Sequence, residues 1–176
     1  KFDMTELEDD VVAMMTKRVY DVAGCNGGLK GYLNGEKLPI KNFSDYVNMY
    51  LGDMAAKEKV YAKVSDRWEV CIAPSEGEFK QVSFVNSIWT SKGGKHVDHV
   101  ADQVVKSLRE KLTKGKNKVS IQPFQIKAHL FVFVKSLIVN PSFDSQTKEE
   151  MTTKASAFGS TCKLTDAFLK KVLKSG

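Results

Sequence analysis

Apolar positions recur at helical spacing in three stretches of the chain and alternate between them. In "TELEDDVVAMMTKRVYDVAG", Leu7, Val11, Met15, Val19 and Val22 fall on one face of a helix. Thr5 with Glu8 three residues on reads as a capping box, and Gly24 suits the position just after the last turn. Val97, Val100, Ala101, Val104, Val105, Leu108 and Leu112 predict a long helix over about 95–113. A last helix starts at Thr165. Leu164 and Leu169 are spaced as a hydrophobic staple, and Phe168, Val172 and Leu173 extend its inner face.

Between these helices the period changes. "LKGYLNGEKLPI" predicts a hairpin, because Asn34–Gly35 can supply the two left-handed residues of a type I′ turn. "FSDYVNMYLG" reads as a short helix with Ser44 as N-cap and Gly52 after it. "KVYAKVS", "RWEVCIAPS" and "FKQVSFVNSIWTS" read as strands, with "SEGE" a turn between the last two. "VSIQPFQIKAHLFVFVKSLIVN" reads as one or two strands broken at Pro123, with 130–134 buried on both faces. Strands and helices segregate along the chain, which predicts an α+β fold, with a boundary near residue 56 in the charged segment "MAAKEK".

Composition narrows the class. Hydrophobic residues at 42% and charged residues at 27% are ordinary for a globular protein. No apolar run is long enough to span a membrane, so no membrane partner is expected. The acidic opening "KFDMTELEDD" lacks the apolar core of a signal peptide. It also lacks an initiator Met, and the chain is expected to be part of something longer. Cys25, Cys71 and Cys162 are far apart and form no C-x-x-C pair, which fits reduced thiols rather than a metal site. The net charge of +6 is concentrated in "KSLREKLTKGKNK", with six basic residues against one acid.

Candidate chemistry is sparse. "TSKGGKH" lacks the spacing of a phosphate-binding P-loop and reads as a strand-to-helix turn. His96 and His99 share a helix face, but no further ligands accompany them, so they are expected at the surface and no metal site is expected. His129, just before an apolar run, reads as structural. Lys111, Lys114, Lys116 and Lys118 can follow phosphates, or can form a solvated loop. In "FDSQTKEEMT", Thr147 as N-cap and Glu150 at N3 read as a capping box, with Glu149–Glu150 favoured at a helix start. Lys148 at the first helical position is then a small misfit against the helix dipole.

Longer strings carry a resemblance. "KFDMTELEDDVVAMMTKRVYDVAG", "YLNGEKLPIKNFSDYVNMYL", "DRWEVCIAPSEGEFKQVSFVNSI", "TSKGGKHVDHVADQ", "NPSFDSQTKEEMT" and "FGSTCKLTDAFLKK" resemble the eukaryotic type II DNA topoisomerases, in order, over nearly the whole chain. The resemblance implies that residues 1–56 are the C-terminal part of a GHKL-type ATPase domain. Residues 57–176 would be a transducer domain, α+β with a left-handed βαβ crossover, an exception to the usual handedness. It implies an ATP-hydrolysing DNA topoisomerase as parent enzyme, an isomerase that passes one DNA duplex through another in the nucleus as a homodimer with Mg2+.

By the same resemblance Gln146, Thr147 and Lys148 form a QTK loop that reaches the nucleotide, with Lys148 the catalytic contact to the γ-phosphate. The nucleotide itself would be held by ATPase residues upstream of Lys1. The magnesium-binding Asn and the general-base Glu are expected there too, and the DNA-cleaving tyrosine and its metal-binding acids beyond Gly176. No cofactor is therefore expected to stay bound to this segment alone, and the segment alone is expected to be inactive. Lys114, Lys116 and Lys118 match a lysine-rich loop that contacts double-stranded DNA, although Gly115 interrupts what is commonly an unbroken run. Trp89 departs from the family, which usually has a small residue there. Two other readings stand beside this one: a basic nucleic-acid-binding module without a nucleotide role, and a purely structural coupling domain.

Overall fold

The computed structural model describes residues 5–114 and 120–175. They divide into two compact units between Met49 and Tyr50.

The first unit is built on helix α1 (Asp9–Cys25), the hairpin β1 (Tyr32–Leu33) and β2 (Glu36–Lys37), and helix α2 (Phe43–Asn48). Asn34 and Gly35 take the φ values 50° and 86° that the hairpin turn requires. The helix starts differ from the sequence reading. Glu8, not Thr5, is the N-cap of α1, and it makes no side-chain cap bond. Asn42, not Ser44, caps α2, accepting from the Asp45 N–H at 2.9 Å. The predicted apolar face of α1 is partly covered: Leu7 and Met15 are exposed and Val11, Val19 and Val22 half-buried, while Asp21, Ala23, Gly24 and Cys25 are buried. The C-terminal part of α1 meets α2, and Gly24 makes this approach possible, because a Cβ there would lie 2.6 Å from the Tyr46 ring. Gly24 therefore sits inside the helix as a close-approach point, and Asn26 takes the cap position. Asp21 is held by Lys17 at 2.8 Å and by the Tyr46 hydroxyl at 2.5 Å, which satisfies a carboxylate taken out of water.

The second unit begins with helix α3 (Asp53–Glu58) and carries strands β3 (Val60–Ser65), β4 (Trp68–Pro74), β5 (Lys80–Val85) and β6 (Ile88–Trp89). The two-residue strand β7 (Gly93–Gly94) leads into the long helix α4 (Lys95–Lys114). Helix α5 (Pro123–Lys127), strand β8 (Leu130–Ser136), the short strand β9 (Glu150–Met151) and helix α6 (Asp166–Lys174) complete it. The main sheet has the order β3-β4-β8-β5-β6. Strand β8 is antiparallel to β4 and parallel to β5, so the chain from β5 through α4 to β8 is a βαβ unit inside an otherwise antiparallel sheet.

Both faces of that sheet are covered. Trp68, Val70, Ile72, Val132 and Val134 meet the valines of α4 and Phe168 and Val172 of α6. Cys71, Val82, Phe84 and Phe133 are buried on the opposite face, where the Tyr50 ring stands edge-on to Phe133. Residues 130–134 are thus the two-sided buried run the sequence predicts, with Phe131 only half-buried. The Trp68 indole N–H donates to Ser160 at 2.8 Å and ties the distant 155–165 segment to β4.

Pro123 corrects the sequence reading. It does not separate two strands but opens α5 at the first helical position, where a missing N–H costs nothing. The Gln125 side chain accepts from the Gln122 N–H at 2.8 Å to secure the turn. At α6 the sequence reading holds: Thr165 accepts from the Phe168 N–H at 3.2 Å, and Leu164 and Leu169 pack into one core. Trp89 lies on the edge strand β6 and is 38% exposed, so it needs no added core space.

Candidate functional site

The stretch after β8 does not enter a helix. Ser145–Lys148 make a tight turn in which the Lys148 N–H donates to the Ser145 carbonyl at 3.1 Å. Thr147 caps nothing, and its hydroxyl lies 2.9 Å from that of Ser145. Glu150 opens strand β9 instead of sitting at a helix start, so the capping-box reading is overturned. Lys148 shows why: its φ is 60°, in the left-handed region, where a right-handed helix cannot begin.

The loop is closed at its base. The Asp144 N–H donates to the Glu150 carbonyl, and the Glu150 N–H donates to the Asp144 carboxylate, each at 3.1 Å. That backbone donor holds the Asp144 carboxyl below the usual carboxylate range. Phe143 pairs with Met151, and the Thr152 N–H donates to Ser142 at 2.9 Å. Gln146 and Thr147 at the tip are exposed, and Lys148 is half-buried.

Charge is sorted around this tip. Glu149 is engaged by Lys92 at 2.7 Å, which raises the Lys92 pKa. Lys148 lies 6.0 Å from the centre of the Phe143 ring, at the outer limit of a cation–π contact. Among the described residues it has no carboxylate at ion-pair distance. The turn therefore carries an amide, a hydroxyl and an ammonium that is not ion-paired at Gln146, Thr147 and Lys148, above a base that holds the Asp144 and Glu150 carboxylates. That is a donor set suited to an anion.

Below the loop, β9 pairs in parallel with β7, Gly93 opposite Glu150 and Gly94 opposite Met151. The Lys92 N–H adds a bond to the Glu149 carbonyl at 2.9 Å. The two glycines are the condition for this approach. Gly94 has φ 129°, and a Cβ on it would lie 2.2 Å from the Met151 carbonyl oxygen. "TSKGGKH" is thus a strand-to-helix turn, and its glycines admit the loop's backbone to the start of α4.

Both helix histidines depart from the surface placement that the sequence predicts. His96 is fully buried, with Nε2 3.2 Å from the Thr90 hydroxyl, and burial pushes its pKa down to about 3. His99 is partly buried and donates to the Cys162 carbonyl at 2.9 Å. The sheet and the 155–165 segment enclose this end of α4 on more sides than a helical period shows. His129 is exposed, and its carbonyl accepts from the Ser75 N–H at 3.0 Å.

Among the described residues no group of three or more His, Cys, Asp or Glu is arranged to hold a metal ion. None of the cysteines forms a disulfide, and burial pushes the Cys71 and Cys162 thiols up to about 12. Lys114 is the last residue of α4, while Lys116 and Lys118 lie outside the described residues. Sequence reasoning missed Lys92, Asp144 and the Ser83–Thr90–His96 contacts. Their one advance signal was polar Ser83 and Thr90 inside apolar strand sequence.

The chain matches the family model described as DNA gyrase B over residues 42–175. It is 55% identical to DNA topoisomerase 2 of Bombyx mori over 182 residues, all of this chain and 12% of that protein's length. The ATPase and transducer domains of DNA topoisomerase II from Balamuthia mandrillaris superpose with a TM-score of 0.90 at 45% identity, covering 98% of this chain and 43% of that one. The ATPase region of Saccharomyces cerevisiae topoisomerase II gives 0.88 at 43% identity, covering 98% and 44%.

Proposed function

The chain belongs to the type II DNA topoisomerases, as a segment of their ATPase and transducer region, and from that premise we propose that its 143–151 loop senses the nucleotide's terminal phosphate. In this reading residues 1–56 close the ATPase domain and residues 57–176 are the transducer. The parent is an ATP-dependent enzyme that passes one DNA duplex through another. It acts as a homodimer, in the nucleus given its eukaryotic relatives.

The observation that carries the reading is Lys148 itself. It is a non-glycine residue in the left-handed region, at the tip of a loop whose base is paired to the turn opening α4. Backbone held there costs about 1–3 kcal/mol and persists where the surroundings over-determine it, often for function. A bound nucleotide supplies a terminal phosphate that is present as triphosphate and departs on hydrolysis. Lys148 would place its ammonium against that charge, and Gln146 and Thr147 would donate beside it. A contact made only with the triphosphate biases the loop, and β9–β7 pairing carries the bias to α4. Magnesium would be held by groups of the parent enzyme outside this segment.

Lys114, Lys116 and Lys118 are the DNA-contacting residues of this reading, following phosphates without reading sequence. The test is Lys148→Ala in the full-length enzyme. Steady-state ATP turnover falls by roughly a hundredfold, the loss typical of removing one transition-state charge partner, while duplex DNA binding is retained. Unchanged turnover removes Lys148 from the mechanism.

A further inference from the structure

Beneath the turn that carries Gly93 and Gly94 lies a closed group of polar side chains that the sensing loop does not touch. The Ser83 and Thr90 hydroxyls lie 2.6 Å apart, and the Thr90 hydroxyl lies 3.1 Å from the Ser83 carbonyl. His96 Nε2 stands 3.2 Å from the same Thr90 oxygen. Gln81 accepts from Ser83 at 2.7 Å and donates to the Ser91 carbonyl at 2.9 Å. Ser83, Thr90 and His96 are each 0% exposed. A buried network of this kind is retained where it fixes one arrangement, because apolar residues would fill the same space with less desolvation. The His96 Nδ1 atom is buried without a partner, a second sign that packing alone did not select this residue.

The network is joined to the loop by short steps. The Thr90 N–H donates to Ser83 at 2.9 Å, and the Gly93 N–H donates to Thr90 at 3.0 Å. The Lys92 N–H then bonds the Glu149 carbonyl, and Gly93–Gly94 pair with Glu150–Met151. Strand β7 is two residues long, and the Gly94 contact leaves no slack against Met151. A displacement of Thr90 is therefore passed to the loop.

We infer that Thr90, clamped between Ser83 and His96, is a positioning residue for Lys148: it sets the 90–94 turn, and the turn sets the loop. The inference rests on the reading of Lys148 as the terminal-phosphate contact. An error of about 1 Å in a reacting contact can slow an enzyme by a hundredfold, so the effect is a rate effect, larger on kcat than on KM.

The experiment is a double-mutant cycle on ATP turnover in the full-length enzyme, with Thr90→Val, Lys148→Ala and the pair. Thr90→Val lowers kcat roughly tenfold or more. The double variant is no slower than Lys148→Ala alone, because both act through one contact. Thr90→Ser, which keeps the hydroxyl, restores turnover. Wild-type turnover in Thr90→Val overturns the inference, and so do multiplicative losses in the double variant. If Thr90→Val does not fold, His96→Leu against His96→Gln puts the same question, since the Gln amide can reach Thr90 where Nε2 does. Wild-type turnover in Lys148→Ala fails the sensing reading itself. A slow Lys148→Ala beside a normal Thr90→Val fails this inference alone.

Discussion

His96 is held neutral by burial, with a pKa near 3 against about 6.5 for an unfolded histidine. Between those values the unfolded chain binds a proton that the native chain does not, so stability rises with pH. The contribution is fully present above pH 6.5 and is lost as pH falls toward 3, by up to about 1.4 kcal/mol per pH unit. His96→Gln removes this titration. Its thermal midpoint is expected to fall less than the wild type's between pH 6.5 and 4.5, and parallel falls would contradict the burial argument. Tyr46 poses a second residue-scale case. Tyr46→Phe leaves Asp21 buried without the hydroxyl that now donates to it, while Lys17 remains. The first unit should lose about 1–3 kcal/mol, read by chemical denaturation.

At the scale of elements, Gly94 is the sharpest position. Gly94→Ala places a methyl group against the Met151 carbonyl, so β7 and β9 must separate. Amide exchange at Met151 should accelerate by at least tenfold, while the interior of α4 stays protected. Unchanged exchange at β9 would contradict the pairing. Much of this architecture was legible in the sequence. The long apolar periods of α4 and α6, the Asn34–Gly35 hairpin and the run at 130–134 all appear in the fold. What failed was local and short. "TKEE" matches a capping box, yet the residues after it pair as a two-residue strand, and no periodicity announces so short an element. Pro123 reads as a strand break from sequence because Pro at a first helical position and Pro between strands look alike without the fold. Helical periodicity puts His96 at the surface because it locates one neighbour, not three. Lys148 stood out locally only as a small misfit, and its resemblance to a known loop, not its spacing, pointed to a role.

At the scale of the whole molecule, the basic stretch and the 143–151 loop both belong to the second unit. The chain is 12% of the length of the topoisomerase 2 it matches, so its chemistry is tested in the parent enzyme. Neutralising Lys114, Lys116 and Lys118 should flatten the salt dependence of duplex DNA binding, by up to roughly three in the log–log slope if each meets a phosphate. An unchanged slope would make the cluster a solvated loop.

In the proposed function Lys148 meets a charge present in the triphosphate and absent from the diphosphate. The most direct test compares affinities for a non-hydrolysable ATP analogue and for ADP, in wild-type and Lys148→Ala full-length enzyme. A charged hydrogen bond of about 1.5–3 kcal/mol corresponds to roughly a 10- to 150-fold loss of affinity for the triphosphate analogue. ADP affinity should stay as it is in the wild type. Equal losses for both nucleotides, or no loss for either, would mean that Lys148 does not meet the terminal phosphate.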